Sequence, residues 1–162
     1  MIHEDHCVYI KRFKDKFVIL SLYVDDILIA ASDINFVKEI KEWLSSTFEM
    51  KDMGEATYIL GINISRDCSK RLLSLSQEPY IKKVLIRFNM QDCKPINTPI
   101  SKSEALNRMM CHQTPHEKEQ MRKVPYANAV GSLMYAMMCT RPDICYAIGL
   151  VSRYQSDPGP QH

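Results

Sequence analysis

Two adjacent carboxylates stand between two runs of apolar residues, and this arrangement constrains the fold more than any other feature of the sequence. Residues 17–23 read FVILSLY and residues 27–31 read ILIAA, so Asp25 and Asp26 separate two segments whose side chains favour burial. Residues that are β-branched or aromatic are frequent in these runs, as is typical of strands. The two carboxylates are therefore predicted to lie at the tip of a β-hairpin.

The residues around this hairpin predict an α+β fold. An earlier run at residues 7–10 adds a third consecutive antiparallel strand. Residues 34–48 carry apolar side chains at three- and four-residue spacing, which predicts a helix that packs one face on the sheet. Two further strand-like runs, at residues 58–64 and 72–75, predict a second hairpin.

The second half of the chain is predicted to be mainly helical. A basic amphipathic helix begins near Pro79, and a short polar helix follows Thr114. Two helices rich in small and apolar residues follow at residues 126–138 and 142–155. The residues predicted to cap helices with their side chains are Ser32 or Asp33, Ser76, Thr114 and Thr140.

Composition bounds the class of protein. With 162 residues, 46% of them hydrophobic and 25% charged, the chain is long enough to bury a core. A net charge of +2 is too small to argue for nucleic acid by itself. Six cysteines without a secretory leader favour a reduced, intracellular protein of the cytoplasm or the nucleus. The longest apolar run, residues 17–24, is far shorter than the ~20 residues that span a bilayer, so no membrane partner is expected.

The paired aspartates allow two interpretations. Aspartate is a common turn residue because its side chain hydrogen-bonds the local backbone, and that role alone explains Asp25 and Asp26. The alternative is a metal site, because Mg²⁺ prefers oxygen ligands and two-metal nucleotidyl transfer uses carboxylates that are held rigidly. These residues alone leave both interpretations open.

The segment Tyr23-Val24-Asp25-Asp26 resembles the YxDD box of reverse transcriptases, and nearly all 162 residues resemble the polymerase of Ty1/copia-type LTR retrotransposons. The matching stretches are LYVDDILIA, WLSSTFEMKDMGEATYILGINISRD, LSLSQEPYIKKVLIRFNM and VPYANAVGSLMYAMMCTRPDICYAIGLVSRYQSDPG. The resemblance implies a fragment of a Pol polyprotein. In the intact polyprotein it would extend a primer on an RNA or DNA template by two-metal nucleotidyl transfer.

The resemblance also implies four consecutive regions. Residues 1–76 would be the C-terminal half of a reverse-transcriptase palm, an antiparallel sheet with a packed helix, the YVDD hairpin and a hairpin like a primer grip. Residues 77–94 would form a basic helix at the start of the thumb. Residues 95–124 would be an irregular linker, and residues 125–162 a helical connection region.

Roles for individual residues follow from the same resemblance. Asp25 would coordinate the catalytic Mg²⁺ or Mn²⁺ ions, and Asp26 would support the site. The residues near the primer or the nucleotide would be Tyr23, Val24, Gly54 and Gly61, and those on nucleic-acid phosphates would be Lys82, Lys83 and Arg87. Ordinary alternatives are a turn or bulge for the glycines and a solvated helix face for the basic residues.

The chain departs from the family in one respect that matters for catalysis. A polymerase of this kind uses a third carboxylate, from a segment of L-D-V-x-x-A-F type, and the 22 residues before Tyr23 contain no such segment. The fingers and RNase H are not recognisable either. We therefore expect the fragment to be inactive alone and to need the remaining Pol segments, template-primer and dNTP; no cofactor is certain for the fragment itself. The alternative is a stand-alone, non-catalytic protein that binds nucleic acid or a host protein.

Overall fold

The computed structural model describes residues 1–97, 99–100 and 106–162. Within these residues the fold is mixed α+β, with two three-stranded antiparallel sheets and five α-helices. The chain divides into two compact units, Met1–Ala56 and Thr57–His162. Among the described residues, no helix combines the length and the apolar character needed to cross a bilayer.

The first unit is the predicted meander followed by a helix. Strands β1 (Val8–Phe13), β2 (Lys16–Tyr23) and β3 (Asp26–Ala31) form one sheet in the order β1-β2-β3, with antiparallel pairing throughout. Helix α1 (Ile34–Thr47) then packs against β3. The predicted hairpin and the predicted helix are therefore both confirmed.

The core of the first unit is small. Its buried apolar side chains are Val18 on β2 and Leu44 on α1, which are 4% and 7% exposed. Three residues of the predicted apolar face of α1 stay exposed instead: Ile34, Trp43 and Phe48. The apolar spacing thus predicted the helix correctly, although the sheet covers only part of its apolar face.

The second unit begins with another antiparallel sheet. Strands β4 (Tyr58–Ile59), β5 (Ile62–Asp67) and β6 (Leu72–Ser76) pair in the order β4-β5-β6. The predicted second hairpin is formed by β5 and β6. Strand β6 lies at the edge of the sheet, and all of its side chains are exposed.

Four α-helices of the second unit follow this sheet. They are α2 (Glu78–Arg87), α3 (Pro115–Arg122), α4 (Tyr126–Cys139) and α5 (Cys145–Val151). Short 3-10 turns at Pro142–Ile144 and Ser152–Tyr154 flank α5, so the single helix predicted for residues 142–155 is three successive pieces. The buried apolar residues of this unit are Val84, Val130, Ala136, Ala147 and Ile148.

Two of the predicted caps are confirmed. Asp33, not Ser32, caps α1 and accepts a hydrogen bond from the Asn35 backbone N–H at 2.8 Å. Thr114 caps α3 in a reciprocal capping box with Glu117, in which each side chain accepts from the other residue's backbone N–H at 3.2 Å. Part of the predicted linker, residues 98 and 101–105, lies outside the described residues.

The other two predicted caps are wrong. Gln77 holds the N-cap position of α2, so Ser76 lies one residue too early, although its Oγ accepts from the Glu78 backbone N–H at 3.3 Å. Thr140 does not cap the following turn, because its hydroxyl donates to Gln77 Oε1 at 2.7 Å. A partner distant in sequence has replaced the local one.

Candidate functional site

The tip of the β2–β3 hairpin is a turn of only two residues. Tyr23 pairs with Asp26 across the hairpin, which leaves Val24 and Asp25 to make the turn. Val24 adopts φ +52, a left-handed conformation that costs an L-residue about 1–2 kcal/mol and is rare for a β-branched side chain. Its side chain is 87% exposed, so packing does not explain the conformation. The short turn fixes the positions of both carboxylates.

The two carboxylates are free to bind a cation. Asp25 and Asp26 are both exposed, and neither side chain makes a hydrogen bond or an ion pair with another described residue. Carboxylate oxygens of this kind suit Mg²⁺ or Mn²⁺. No group of three or more Asp, Glu, His or Cys side chains capable of holding a metal occurs in the described part of the chain. The hairpin therefore offers two carboxylates, and their role as metal ligands stays a prediction.

The opposite end of β2 provides an internal comparison. Lys14 and Asp15 join β1 to β2 in another two-residue turn, and Lys14 adopts φ +54. Asp15 thus occupies the same turn position as Asp25, so turn geometry alone accounts for an aspartate there. The charge differs: basic side chains flank Asp15, whereas Asp26 adds a second negative charge beside Asp25. Concentrated negative charge, rather than turn chemistry, distinguishes the candidate site.

Both glycines predicted near the primer have positive φ. Gly54 has φ +80, and its N–H donates to Asp52 Oδ1 at 2.8 Å. Gly61 has φ +79 and joins β4 to β5 together with Leu60. The Tyr135 hydroxyl donates to the Leu60 carbonyl, and its ring lies 3.9 Å from the place that a Gly61 Cβ would take. Backbone conformation explains these glycines, and their role near the primer stays a prediction.

The three basic residues of α2 are all exposed but differ in their partners. Lys82 Nζ lies 2.6 Å from Glu78 Oε1, and this hydrogen-bonded ion pair holds the pKa of Glu78 below its usual value. Lys83 and Arg87 are four residues apart on one face of the helix and pair with no other described residue. Two of the three predicted phosphate contacts therefore carry a free positive charge.

The predicted site residues fall into separate groups. The hairpin brings together Tyr23, Val24, Asp25 and Asp26, and Gly54 follows α1 in the same unit. Gly61 and the basic residues of α2 belong to the second unit.

Sequence reasoning missed a buried amide in the second unit. Gln77 is only 1% exposed, and its Nε2 has no hydrogen-bond partner among the described residues. It lines a cavity of about 410 Å³. In the sequence it stands between Ser76 and Glu78 at the start of a polar helical turn, where no local signal predicts burial.

Comparison with known proteins supplies the context for the hairpin. A family model described as reverse transcriptase (RNA-dependent DNA polymerase) matches residues 1–102. Over 161 residues the chain is 52% identical to a retrovirus-related Pol polyprotein from transposon TNT 1-94 of Nicotiana tabacum; the match covers 99% of this chain and 12% of that polyprotein. No solved structure matches the chain.

Two shorter relatives match as well. A putative transposon Ty5-1 protein of Saccharomyces cerevisiae is 32% identical over 161 residues, which cover 99% of this chain and 50% of the yeast protein. An uncharacterized mitochondrial protein of Arabidopsis thaliana is 38% identical over 139 residues, 86% of this chain and 54% of that protein. The chain thus spans between about a tenth and about half of the length of these relatives. The family model matches more than half of this chain, and almost the whole chain aligns with a copia-type Pol polyprotein. The chain, with its paired hairpin aspartates, therefore belongs to the reverse transcriptase (RNA-dependent DNA polymerase) family.

Proposed function

We propose that this chain carries the metal-binding hairpin of an RNA-directed DNA polymerase that extends a primer on an RNA or DNA template. The observation that carries the proposal is the pair of exposed, unpartnered carboxylates, Asp25 and Asp26, at a two-residue turn in a chain of this family. Asp25 would hold Mg²⁺ or Mn²⁺, and Asp26 would support the site. A bound metal ion would activate the primer 3′-hydroxyl and neutralise charge on the nucleotide triphosphate.

The site would be completed by another segment of a Pol polyprotein. The hairpin offers two carboxylates, and the described residues contain no cluster of three potential ligands. Two-metal transfer needs further oxygen ligands to enclose both ions. The third carboxylate and the fingers that hold dNTP would come from other Pol segments, so residues 1–162 alone would not extend a primer.

The two units would have separate roles in such a polymerase. The meander with α1 would be part of the palm, with Tyr23 and Val24 beside the primer end, and Gly54 would follow in the same region. The hairpin at Gly61 would contact the primer strand. Helix α2 would begin the thumb, where the free charges of Lys83 and Arg87 support contact with template-primer phosphates.

A chimera tests the proposal directly. Residues 1–162 would replace the matching stretch of the polymerase in the tobacco Pol polyprotein, with which they share 52% identity. We expect primer extension that depends on Mg²⁺ or Mn²⁺ and falls by at least about 100-fold in Asp25→Asn, because loss of a metal ligand removes electrostatic stabilisation of the transition state.

Asp15→Asn is the matched control, since Asp15 occupies the same position in the other two-residue turn of β2. Full activity of Asp25→Asn would contradict the metal-binding role. Extension by residues 1–162 alone would contradict the need for another segment. Salt-sensitive binding of primer-template that requires Lys83 and Arg87, without extension by the chimera, would favour the non-catalytic alternative.

A further inference from the structure

A cleft of about 650 Å³ lies between two segments of the second unit that are distant in sequence. One segment includes the 3-10 turn Arg108–Met110, and the other includes the 3-10 turn Ser152–Tyr154. Arg108 and Arg153 both line the cleft, and both are exposed. The first arginine lies in the region predicted to be an irregular linker, and the second lies in the predicted connection region. The structure therefore brings a basic residue from each of these regions to one site.

The two arginines carry charge that the cleft does not balance. Neither guanidinium makes a hydrogen bond or an ion pair with another described residue. One carboxylate, that of Asp157, is among the described groups that line the cleft, and it lies 2.7 Å from His112 Nδ1. The lining thus has a surplus of one positive charge, or of two when His112 is protonated. This surplus favours the binding of an anion.

Contacts between the two segments hold the cleft in place. The Tyr154 hydroxyl donates to the Leu106 carbonyl at 2.9 Å, and the Tyr154 ring stacks on the His162 ring with their centroids 4.0 Å apart. The backbones also pack closely, because a Cβ added to Gly159 would overlap the Met110 carbonyl group. A site that is formed before its ligand arrives loses less conformational freedom on binding. Binding in this cleft would have to order mainly the two arginine side chains.

Paired guanidinium groups suit a phosphate. Guanidinium is planar and always charged, and its N–H donors match two oxygens of a phosphate at once. A surplus of one or two charges balances the single charge of a phosphodiester better than the several charges of a triphosphate. The chain belongs to a polymerase family, and the free charges of Lys83 and Arg87 lie in the same unit as the cleft. A backbone phosphate of nucleic acid is therefore the anion that fits best.

We propose that Arg108 and Arg153 together bind one backbone phosphate of the nucleic acid, whatever its base sequence. The inference rests on the proposed function, in which the chain holds template-primer. It adds a second point of attachment to the one proposed for α2. The segment around Arg108, predicted to be a linker, then takes a direct part in binding nucleic acid.

The salt dependence of binding measures this contact. Residues 1–162 are titrated with DNA primer-template duplexes of different sequence at several salt concentrations. Each phosphate contact contributes about 0.9 to the slope of the logarithm of the binding constant against the logarithm of salt concentration. We expect Arg153→Met to lower this slope by about 0.9, and to weaken binding about five- to tenfold at low salt for every sequence. Arg108→Met should have the same effect.

Further variants test whether the two arginines share one phosphate. Two independent contacts would lower the slope by about 1.8 in the double variant, whereas one shared phosphate lowers it by only about 0.9. Arg153→Lys keeps the charge without the paired donors, so it should keep the slope and lose part of the affinity. Lys118→Met, which removes an exposed lysine of α3 that pairs with no other described residue, is the control and should leave the slope unchanged.

The outcomes separate failure of the cleft from failure of the proposed function. Unchanged slopes in both arginine variants, with the duplex still bound, would overturn the phosphate site and leave the proposed function standing. Lowered slopes, together with a chimera that does not extend primers, would overturn the polymerase and support the phosphate site. A slope lowered by about 1.8 in the double variant would overturn the shared phosphate.

Nuclear magnetic resonance of the wild-type protein decides the case in which a variant does not fold. The side-chain Nε–H signals of Arg108 and Arg153 should both shift when the duplex binds. Shifts with inorganic phosphate but not with the duplex would mean that the cleft takes only a free phosphate. Shifts with an oligo-glutamate peptide but not with the duplex would assign the cleft to an acidic protein partner. Either result would overturn the proposal.

Discussion

Val24 carries backbone strain at the exposed tip of the hairpin. Its φ of +52 is unfavourable for a β-branched residue, and its side chain is 87% exposed. Conformations of this kind persist only where the surrounding structure determines them, and they cluster at functional sites. Here the β2–β3 ladder on both sides of the turn determines it, since Tyr23 and Asp26 are paired.

Replacement of Val24 by asparagine should relieve this strain. Asparagine tolerates the left-handed region, so Val24→Asn is expected to raise the free energy of unfolding by about 1 kcal/mol. Chemical denaturation measures the change. Lys14→Asn, at the equivalent position of the other turn, is the control and should give a smaller gain, because lysine is not β-branched. An unchanged or lower stability of Val24→Asn would contradict the strained conformation.

Gln77 and Thr140 are predicted to be energetically coupled. Gln77→Met leaves the Thr140 hydroxyl without its acceptor, and Thr140→Val leaves the Gln77 amide without its donor. Each change should cost about 1–2 kcal/mol, whereas the double variant should cost less than the sum by about 1 kcal/mol. A double-mutant cycle by chemical denaturation measures this coupling. If the two changes in the free energy of unfolding are additive, the hydrogen bond between Thr140 and Gln77 contributes nothing to stability.

At the scale of elements, Asp33 links helix α1 to the sheet. It caps the helix at Asn35 and pairs with Lys16 at the start of β2. The hydrogen bond from Lys16, and then the one from the Asn35 N–H, hold the pKa of Asp33 below its usual 3.8. The pKa of Asp33 is therefore lower in the folded protein than in the unfolded chain. The stabilisation that its charged carboxylate provides is complete above pH 3.8 and is lost as the pH falls through the lowered pKa.

Asp33→Asn should remove this pH dependence, because asparagine still caps a helix but carries no charge. The variant is expected to be less stable than the wild type at neutral pH, and the difference should shrink as the pH falls below 3.8. Thermal unfolding across this range measures it. Lys16→Met removes the same ion pair from the other side and should behave alike. A constant difference at every pH would show that the ion pair does not contribute.

The elements that sequence could predict are those whose signal is local. The β2–β3 hairpin follows from apolar runs on both sides of Asp25 and Asp26, and the capping box at Thr114 follows from residues within one turn. The cap at Thr140 could not be predicted, because its hydroxyl bonds Gln77, 63 residues away in sequence. The cavity at Gln77 was missed for the same reason, since its lining comes from segments that are distant along the chain.

At the scale of the whole molecule, large apolar residues are exposed in each of the two units. Among them are Trp43 and Phe48 in the first unit, and Leu72, Leu73, Leu75 and Ile86 in the second. Such surface is typical of a segment that other parts of a larger protein cover.

The isolated chain should therefore behave as an incompletely covered fold. We expect residues 1–162 to bind a hydrophobic dye such as ANS and to unfold over a broad denaturant range, because few apolar side chains are buried. In the chimera with the tobacco polymerase, dye binding per molecule should fall and unfolding should sharpen. A sharp transition of the isolated chain without dye binding would contradict this expectation.

The two-residue turn at Val24 and Asp25 has a consequence for how this segment tolerates changes in length. Hairpin tips are usually permissive sites for inserted residues. Here Tyr23 pairs directly with Asp26, so one inserted residue either enlarges the turn and moves Asp25, or shifts the register and turns every side chain of β3 to the other face of the sheet. In a library of single-residue insertions in the chimera, selected for polymerase activity, this exposed tip should therefore stay as free of insertions as a buried strand.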